Sequence, residues 1–133
     1  MIDNITSNIT EILILLFLLI TFLQSGFDKL RNWTGNYNFI KTHFAKTPLR
    51  KSVRLLLLII LIVEFLAGIL SGLGVFEIIA FGNRGYGLLG AVTSCLALLM
   101  LLFGQRIAKD YQGALTITCY FIVAIFGVFL LNF

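Results

Sequence analysis

Four long apolar runs dominate the sequence and constrain its fold more than any other feature. They cover about residues 9–30, 53–75, 85–103 and 114–131. A helix needs about 20 apolar residues to cross the ~30 Å hydrocarbon layer of a bilayer, so each run is long enough. The runs are continuous in Leu, Ile and Phe and lack the alternation of a membrane strand. We therefore predict an all-α membrane protein in which residues 1–133 form one four-transmembrane-helix bundle.

The low content of charged residues excludes several other classes of protein. Only 12% of the residues are charged and 59% are hydrophobic, whereas about a quarter of the residues of a soluble domain are charged. Such a chain cannot cover a soluble surface, which excludes a soluble enzyme, a disordered chain and a nucleic-acid-binding module. The first ten residues contain no Lys or Arg and no small-residue cleavage site, so the first run is expected to remain as an anchor.

The basic residues are distributed unevenly between the predicted connections. Nine of the ten lie either in residues 29–54 or between the third and fourth runs, and only Arg84 lies on the other side. Cytoplasmic loops of membrane proteins carry an excess of Lys and Arg. The sequence therefore predicts a multi-pass protein with both termini outside and both basic connections in the cytoplasm.

The connection between the first two runs is the only one long enough to hold structure. Trp33, Tyr37, Ile40 and Phe44 are spaced four, three and four residues apart, which places them on one face of a helix. Pro48 is expected to stop this helix, because the residue before a proline avoids the α region. We predict a short amphipathic interfacial helix on the cytoplasmic leaflet. The alternative is a helix that folds against the cytoplasmic ends of the bundle.

Glu64 is the most informative polar residue, because it lies deep in the second run. Ten residues separate it from Arg54, which places it roughly 15 Å along the helix and near the midplane. An acidic residue at that depth is costly and marks a proton, ion or ligand site by default. The alternative is a neutral carboxyl that hydrogen-bonds between helices. No cation is expected at this level, so we predict no ion pair there, and the candidate partners are Thr21, Tyr120 and Ser94.

A second polar group is expected where the first and third helices reach the cytoplasm. Asp28 is predicted to pair with Arg106 or Lys109 and to tie these helix ends together, while Lys29 extends its ammonium toward the interface. The group is either an ordinary helix-end network or the rim of a cavity that leads toward Glu64. Its members are Gln24, Asp28, Gln105, Arg106 and Lys109.

Small residues form stripes on the second and third helices. Gly68 and Gly72 lie on one face of the second, and a further stripe runs through residues 87–94 of the third. Small residues let helix backbones approach closely in lipid, so we predict that both stripes are helix–helix seams. Cys95 and Cys119 lie inside apolar runs and are interpreted as packing residues. The sequence has no catalytic motif and no set of metal ligands.

Segments in the first two helices, the long connection and the last link carry the pattern of a known family. The segments are residues 22–30 (FLQSGFDKL), 33–36 (WTGN), 43–49 (HFAKTPL), Glu64 with 66–68 (LAG), and 103–111 (FGQRIAKDY) with 113–114 (GA). Together they resemble the DoxX family of membrane proteins, especially its small members from Bacteroidota. The resemblance covers nearly the whole chain and implies a four-helix protein of the bacterial inner membrane, whose outside termini would then be periplasmic.

The DoxX resemblance also implies a setting in membrane redox chemistry. The family name comes from a subunit of a thiosulfate:quinone oxidoreductase, and other relatives are linked to thiol or oxidative-stress systems. We therefore predict a non-catalytic or quinone-contacting subunit of a membrane redox assembly, with a buried polar cavity around Glu64. Its expected partners are the lipid bilayer and either such an assembly or further copies of itself, with no nucleic acid. The alternatives are a small proton-linked transporter or permeability protein and a structural or assembly subunit.

Overall fold

Six helices account for the fold, and no strand is present. The computed structural model describes all 133 residues, with α1 at Ile2–Ser7, α2 at Ile9–Arg31, α3 at Trp33–His43, α4 at Val53–Phe81, α5 at Gly85–Ile107 and α6 at Tyr111–Leu131. Helices α2, α4, α5 and α6 are long and apolar enough to cross a membrane. The predicted all-α fold with four such helices is confirmed, and the chain has the helices of a multi-pass membrane protein.

Helix α4 lies between α2 and α5, and α5 packs in turn against α6. The contact between α4 and α5 is close because small residues face each other across it. A Cβ atom added to Gly90 would lie 2.7 Å from the backbone nitrogen of Ser71, and one added to Gly74 would overlap the backbone of Gly87. The stripe predicted on the third helix is therefore a seam inside the bundle.

The stripe predicted on the second helix faces α2. A Cβ atom added to Gly68 would lie 2.7 Å from Cδ2 of Leu23, and one added to Gly72 would lie 3.2 Å from Cδ1 of Leu19. The nearest atoms in both contacts belong to side chains, and the closest backbone atom, the nitrogen of Leu23, lies 3.3 Å from the Cβ added to Gly68, so this seam is less tight than the one between α4 and α5. Together, the two seams hold α4 at the centre of the bundle.

Three of the long helices extend beyond their predicted bounds. Helix α4 continues past residue 75 to Phe81, because no Gly or Pro interrupts that segment, and it ends at Gly82 with φ +74°. A glycine in the left-handed conformation is a common end for a helix. Helix α5 likewise continues past residue 103. Helix α6 begins at Tyr111 rather than near residue 114, because the side chain of Asp110 accepts a hydrogen bond from the Gly113 N–H at 3.0 Å.

The helix predicted in the long connection is present as α3. Its predicted apolar face is half-buried at Trp33, Tyr37 and Ile40, and the helix contacts α2 and α4. Phe44 follows the end of α3 and packs on the last turns of α5, where a Cβ atom added to Gly104 would lie 3.3 Å from Cζ of Phe44. This face therefore turns toward the bundle, and the segment from 44 to 52 leads back to α4.

The interior of the bundle is packed, and its exterior is apolar. Leu15, Leu18 and Leu98 are buried at the centre, whereas Phe76 and Leu115 are among many large apolar side chains that are exposed. Soluble monomers rarely expose a continuous apolar surface of this kind. The exposed side chains are suited to contact with lipid.

Candidate functional site

A cavity of about 380 Å³ lies between the long helices, toward the C-terminal end of α2. It brings together five of the residues predicted from the sequence: Thr21, Gln24, Asp28, Glu64 and Tyr120. Five apolar side chains of α2, α5 and α6 complete much of the wall. Three further polar residues line it: Ser25, Lys29 and Asn36.

An ion pair forms the deepest polar part of this cavity. The Glu64 side chain is only 1% exposed, and its Oε1 lies 2.8 Å from Nζ of Lys29. The same ammonium donates a hydrogen bond to Oγ of Ser25 at 2.7 Å. We predicted that no cation reaches the level of Glu64, and this prediction is wrong. The partner of Glu64 at this level is therefore Lys29.

The direction of the Lys29 side chain explains the error. In an α-helix each Cα–Cβ bond tilts toward the N-terminus of the helix. Because Lys29 lies near the C-terminal end of α2, this tilt carries its ammonium back along the helix, past Ser25 and into the bundle. Only 19% of its side chain is exposed, so Lys29 does not extend outward to the interface as predicted.

The ion pair retains unused hydrogen-bonding capacity. Oε1 of Glu64 is in contact with the ammonium but accepts no hydrogen bond of suitable angle. A lysine ammonium carries three N–H donors, and Ser25 accepts one of them. One N–H of the ammonium therefore remains able to donate a hydrogen bond to a molecule in the cavity.

Three neutral side chains add further free donors and acceptors to the cavity wall. Thr93 and Thr118 donate to the carbonyls four residues earlier in their own helices, at 2.7 and 2.8 Å. The hydroxyl groups of Thr21 and Tyr120 and the amide of Gln24 make no such bond, although they line the cavity. Thr21 and Tyr120 are half-buried and Gln24 is exposed, so all three side chains can form hydrogen bonds with a molecule that enters the cavity.

Ser94 does not belong to this site. It is fully buried, and its hydroxyl donates to the carbonyl of Gly90 at 2.7 Å within α5. Gly90 itself lies against Ser71 of α4, which places Ser94 beside the α4–α5 seam. Ser94 was predicted to belong to the polar site, but it lies beside the α4–α5 seam and does not line the cavity.

The three rim residues predicted at the end of α5 are also outside the cavity. Arg106 stacks its guanidinium over the ring of Tyr111, with Cζ 5.0 Å from the ring centre. Gln105 is turned toward Gly113, with Oε1 buried and without a hydrogen-bond partner. Lys109 occupies the tight α5–α6 turn with φ +62°. These side chains lie around the connection between α5 and α6 instead of lining the mouth of the cavity.

Asp28 lines the cavity but does not make the predicted ion pair with Arg106 or Lys109. It also borders a smaller recess of about 240 Å³, together with Gln24, Phe27 and Arg31. The mouth of the cavity is therefore formed by the last turns of α2 rather than by a bridge between α2 and α5. Asp28 is left free to contact a molecule that enters there.

The sequence analysis missed a second polar cluster at the opposite end of the bundle. Nε of Arg84 donates to Oδ1 of Asn8 at 3.1 Å, and Nη2 donates to Oε2 of Glu11 at 3.0 Å. Nη1 donates to the carbonyl of Leu130 at 3.1 Å. A signal was present in the sequence, because Arg84 is the only basic residue expected at that end and Glu11 lies near the start of the first apolar run.

The structure brings together no group of three or more His, Cys, Asp or Glu side chains that could hold a metal ion. Both cysteines are free: Cys95 is buried in the bundle, as expected for a packing residue, whereas Cys119 is exposed on α6. The polar cavity around Glu64 is the site at which hydrogen-bonding groups converge.

No family model, no curated protein and no solved structure matches the chain.

Proposed function

We propose that this protein binds the headgroup of a quinone in the cavity beside Lys29 and Glu64, as a non-catalytic subunit of a membrane redox assembly. The observation that carries the proposal is the cavity itself, with a buried ion pair and three unpaired neutral polar groups in its wall. Its volume of about 380 Å³ lies within the roughly 300–1,000 Å³ of small-molecule sites. The redox setting comes from the resemblance to the DoxX family.

The chemistry of the wall suits both oxidation states of such a headgroup. A quinone has two carbonyl oxygens that accept hydrogen bonds, and Lys29, Thr21 and Tyr120 can donate to them. A quinol has two hydroxyl groups that donate hydrogen bonds, and the oxygen atoms of Thr21, Gln24 and Tyr120, which line the cavity, can accept them. The apolar side chains of the wall contact the ring. The protein supplies binding and orientation in this proposal, and no side chain transfers electrons.

We further propose that the protein lies in the bacterial inner membrane with both termini in the periplasm. Under this arrangement the cavity opens toward the cytoplasmic side, and α3 lies along the cytoplasmic leaflet. Support comes from the uneven distribution of basic residues and from Phe39 of α3, which is 65% exposed. The half-buried face of α3 would then cover the ends of α2 and α4, so that the helix contacts both lipid and protein.

The headgroup proposal is tested by the binding of a tail-less benzoquinone to the purified protein in mild detergent. The variant Glu64→Gln removes the charge of the pair, and we expect about tenfold weaker binding, because a hydrogen bond to a charged group contributes about 1.5 kcal/mol or more. The matched control is Glu77→Gln, a half-buried carboxylate on the same helix that accepts from the Tyr86 N–H. This control should leave binding unchanged. Equal affinity in the wild type and in Glu64→Gln would remove Glu64 from the site.

The assignment to a redox assembly is tested by identifying the proteins that purify with the native chain. A stably copurifying oxidoreductase supports a subunit role. Purification of the chain alone would contradict that role and would leave only ligand binding.

A proton-linked transporter is the second candidate, and one observation favours it. Lys29 and Glu64 form a titratable pair inside a membrane-spanning helix bundle, next to a cavity, which is a common arrangement in proton-coupled carriers. Solute flux in proteoliposomes that is lost in Glu64→Gln and kept in Glu77→Gln would favour transport over quinone binding. A purely structural role predicts that neither substitution has an effect on binding or flux.

A further inference from the structure

Helices α2 and α6 both border the cavity, and the way they pack against each other changes along their length. These helices pack together toward the N-terminal end of α2. A Cβ atom added to Gly127 would lie 2.8 Å from Cγ2 of Ile14, and the rings of Phe17 and Tyr120 have their centres 6.0 Å apart. From Phe17 toward the C-terminal end of α2, residues of both helices line the cavity.

The two helices therefore leave a side opening between the Phe17–Tyr120 contact and the C-terminal end of α2. Ile20 of α2 and Ile117 of α6 both line the cavity, and Ile20 is also 55% exposed on the outer surface of the bundle. A residue that borders the cavity and is half exposed on the exterior marks a place where the cavity reaches the surface. The opening lies between these two isoleucines.

The opening faces lipid rather than water. Ile20 lies eleven residues before Arg31, the last residue of α2, so it is about 16 Å along the helix from that end. At this depth in a membrane-spanning helix the surrounding medium is the hydrocarbon layer. A molecule can therefore reach the cavity from the bilayer without passing through either aqueous phase.

The order of the side chains along this route sets the chemistry of the ligand. Ile20 and Ile117 at the opening are apolar, and two further apolar residues, Leu98 and Leu101, also line the cavity. The charged pair of Lys29 and Glu64 lies at the inner end of the cavity. An amphiphile with a hydrogen-bonding headgroup and a linear apolar tail fits this order, because its tail can remain in the bilayer while its headgroup contacts the pair.

We infer that the cavity takes its ligand sideways from the membrane, through the opening between α2 and α6, and that the ligand is a membrane-dissolved amphiphile whose tail leaves by the same opening. The inference rests on the proposed quinone-headgroup site and adds to it the route of access and the need for a tail. A ligand that arrives from water would use only the end of the cavity near Asp28.

The test closes the opening after the protein has folded. In a chain with Cys95→Ala and Cys119→Ala, the substitutions Ile20→Cys and Ile117→Cys place one thiol on each edge of the opening. A short bis-maleimide linker then bridges them in the purified protein. The controls are the same protein before bridging and each single-cysteine variant treated with the linker. The probes are two quinones with one headgroup, of which one has a long isoprenoid tail and the other has no tail.

We expect bridging to weaken binding of the long-tailed quinone by about tenfold, relative to each single-cysteine variant treated with the linker, and to leave binding of the tail-less quinone unchanged. Unchanged binding of the long-tailed quinone after bridging would overturn the inference and leave the headgroup site intact. Equal loss of both probes would also overturn it, because a tail-less ligand does not need the side opening. Failure of both probes to bind before bridging would instead contradict the proposed function.

Discussion

The two ends of the helix bundle each carry a buried ion pair, and the two pairs are built differently. At the end where α2 begins, Arg84 donates to Asn8, to Glu11 and to a backbone carbonyl of α6. This single side chain joins α2, the α4–α5 turn and α6. At the other end, Lys29 contacts Glu64 of α4 and faces a cavity. One pair is surrounded by protein acceptors, and the other borders open space.

The chemistry of the two cations matches this difference. A guanidinium is a rigid planar group with five N–H donors and is suited to several fixed partners, whereas an ammonium is a compact charge on a flexible stem. Arg84 has protein partners on three of its nitrogen atoms, so its cluster holds the helices together at one end of the bundle. Lys29 has a donor to spare, so its pair can exchange partners with a ligand. The number of unused hydrogen bonds, rather than the presence of charge, separates a structural pair from a candidate binding site.

Removal of the Arg84 side chain should give the largest effect on stability. Arg84→Met leaves Glu11, whose side chain is 9% exposed, without its cation and removes the link to α6. We expect a loss of about 3 kcal/mol in the free energy of unfolding, which is the scale for breaking a buried pair by removing one partner. The measurement is unfolding in mixed micelles followed by circular dichroism.

The control for this variant is Arg84→Lys, which keeps the charge and loses the planar fork. Its loss should be roughly half as large. Quinone binding by the fraction of Arg84→Met that remains folded should be unchanged, because the cluster does not line the cavity. A loss of stability below about 0.5 kcal/mol, the range of ordinary surface substitutions, would show that the Arg84 cluster does not close the bundle.

Removal of the Lys29 side chain should lower the free energy of unfolding less than removal of the Arg84 side chain does. In Lys29→Met the ammonium no longer covers Glu64, and the adjoining cavity admits water to the carboxylate. We expect a loss of about 1 kcal/mol in unfolding free energy, near the net value of one or two hydrogen bonds. The double variant Lys29→Met with Glu64→Gln should lose less than the sum of the two single variants, because no unpaired charge remains. A loss of unfolding free energy as large as that of Arg84→Met would mean that both ion pairs serve mainly to stabilise the fold.

The sequence was sufficient to predict those features that depend on a single helix. The four long helices follow from the length and composition of their apolar runs, and α3 follows from the spacing of Trp33, Tyr37 and Ile40. The second apolar run was placed at residues 53–75, whereas α4 continues to Phe81 and ends at Gly82. The conformation of one glycine therefore decided a boundary that hydropathy alone could not locate.

Features that depend on two helices were predicted only in part. Ser94 was placed in the site on the basis of depth, but a serine in a helix can satisfy its hydroxyl on its own backbone, and its face depends on the rotation of α5. Arg84 and Glu11 are separated by 73 positions, and their contact requires the packing of α2 against the α4–α5 turn. Lys29 was misplaced because the preference of lysine for the interface was considered without the tilt of its Cα–Cβ bond toward the start of α2.

The smallest expected effect concerns Thr21, and it tests whether the binding site extends beyond the Lys29–Glu64 pair. Thr21→Val keeps the shape of the side chain and removes a hydroxyl that has no partner in the protein. We expect about threefold weaker binding of the tail-less quinone, which is the value of one neutral hydrogen bond, and a change in stability below about 0.5 kcal/mol. Thr118→Val is the matched control, because that hydroxyl donates to the carbonyl of Ala114 and does not line the cavity. If the two variants bound quinone equally well, the site would be confined to Lys29 and Glu64. A loss of affinity as large as that of Glu64→Gln would instead make the hydroxyl of Thr21 as important to binding as the charge of Glu64. The difference between the Lys29–Glu64 pair, which borders a cavity, and the Arg84–Glu11 pair, which does not, would then no longer explain where the ligand binds.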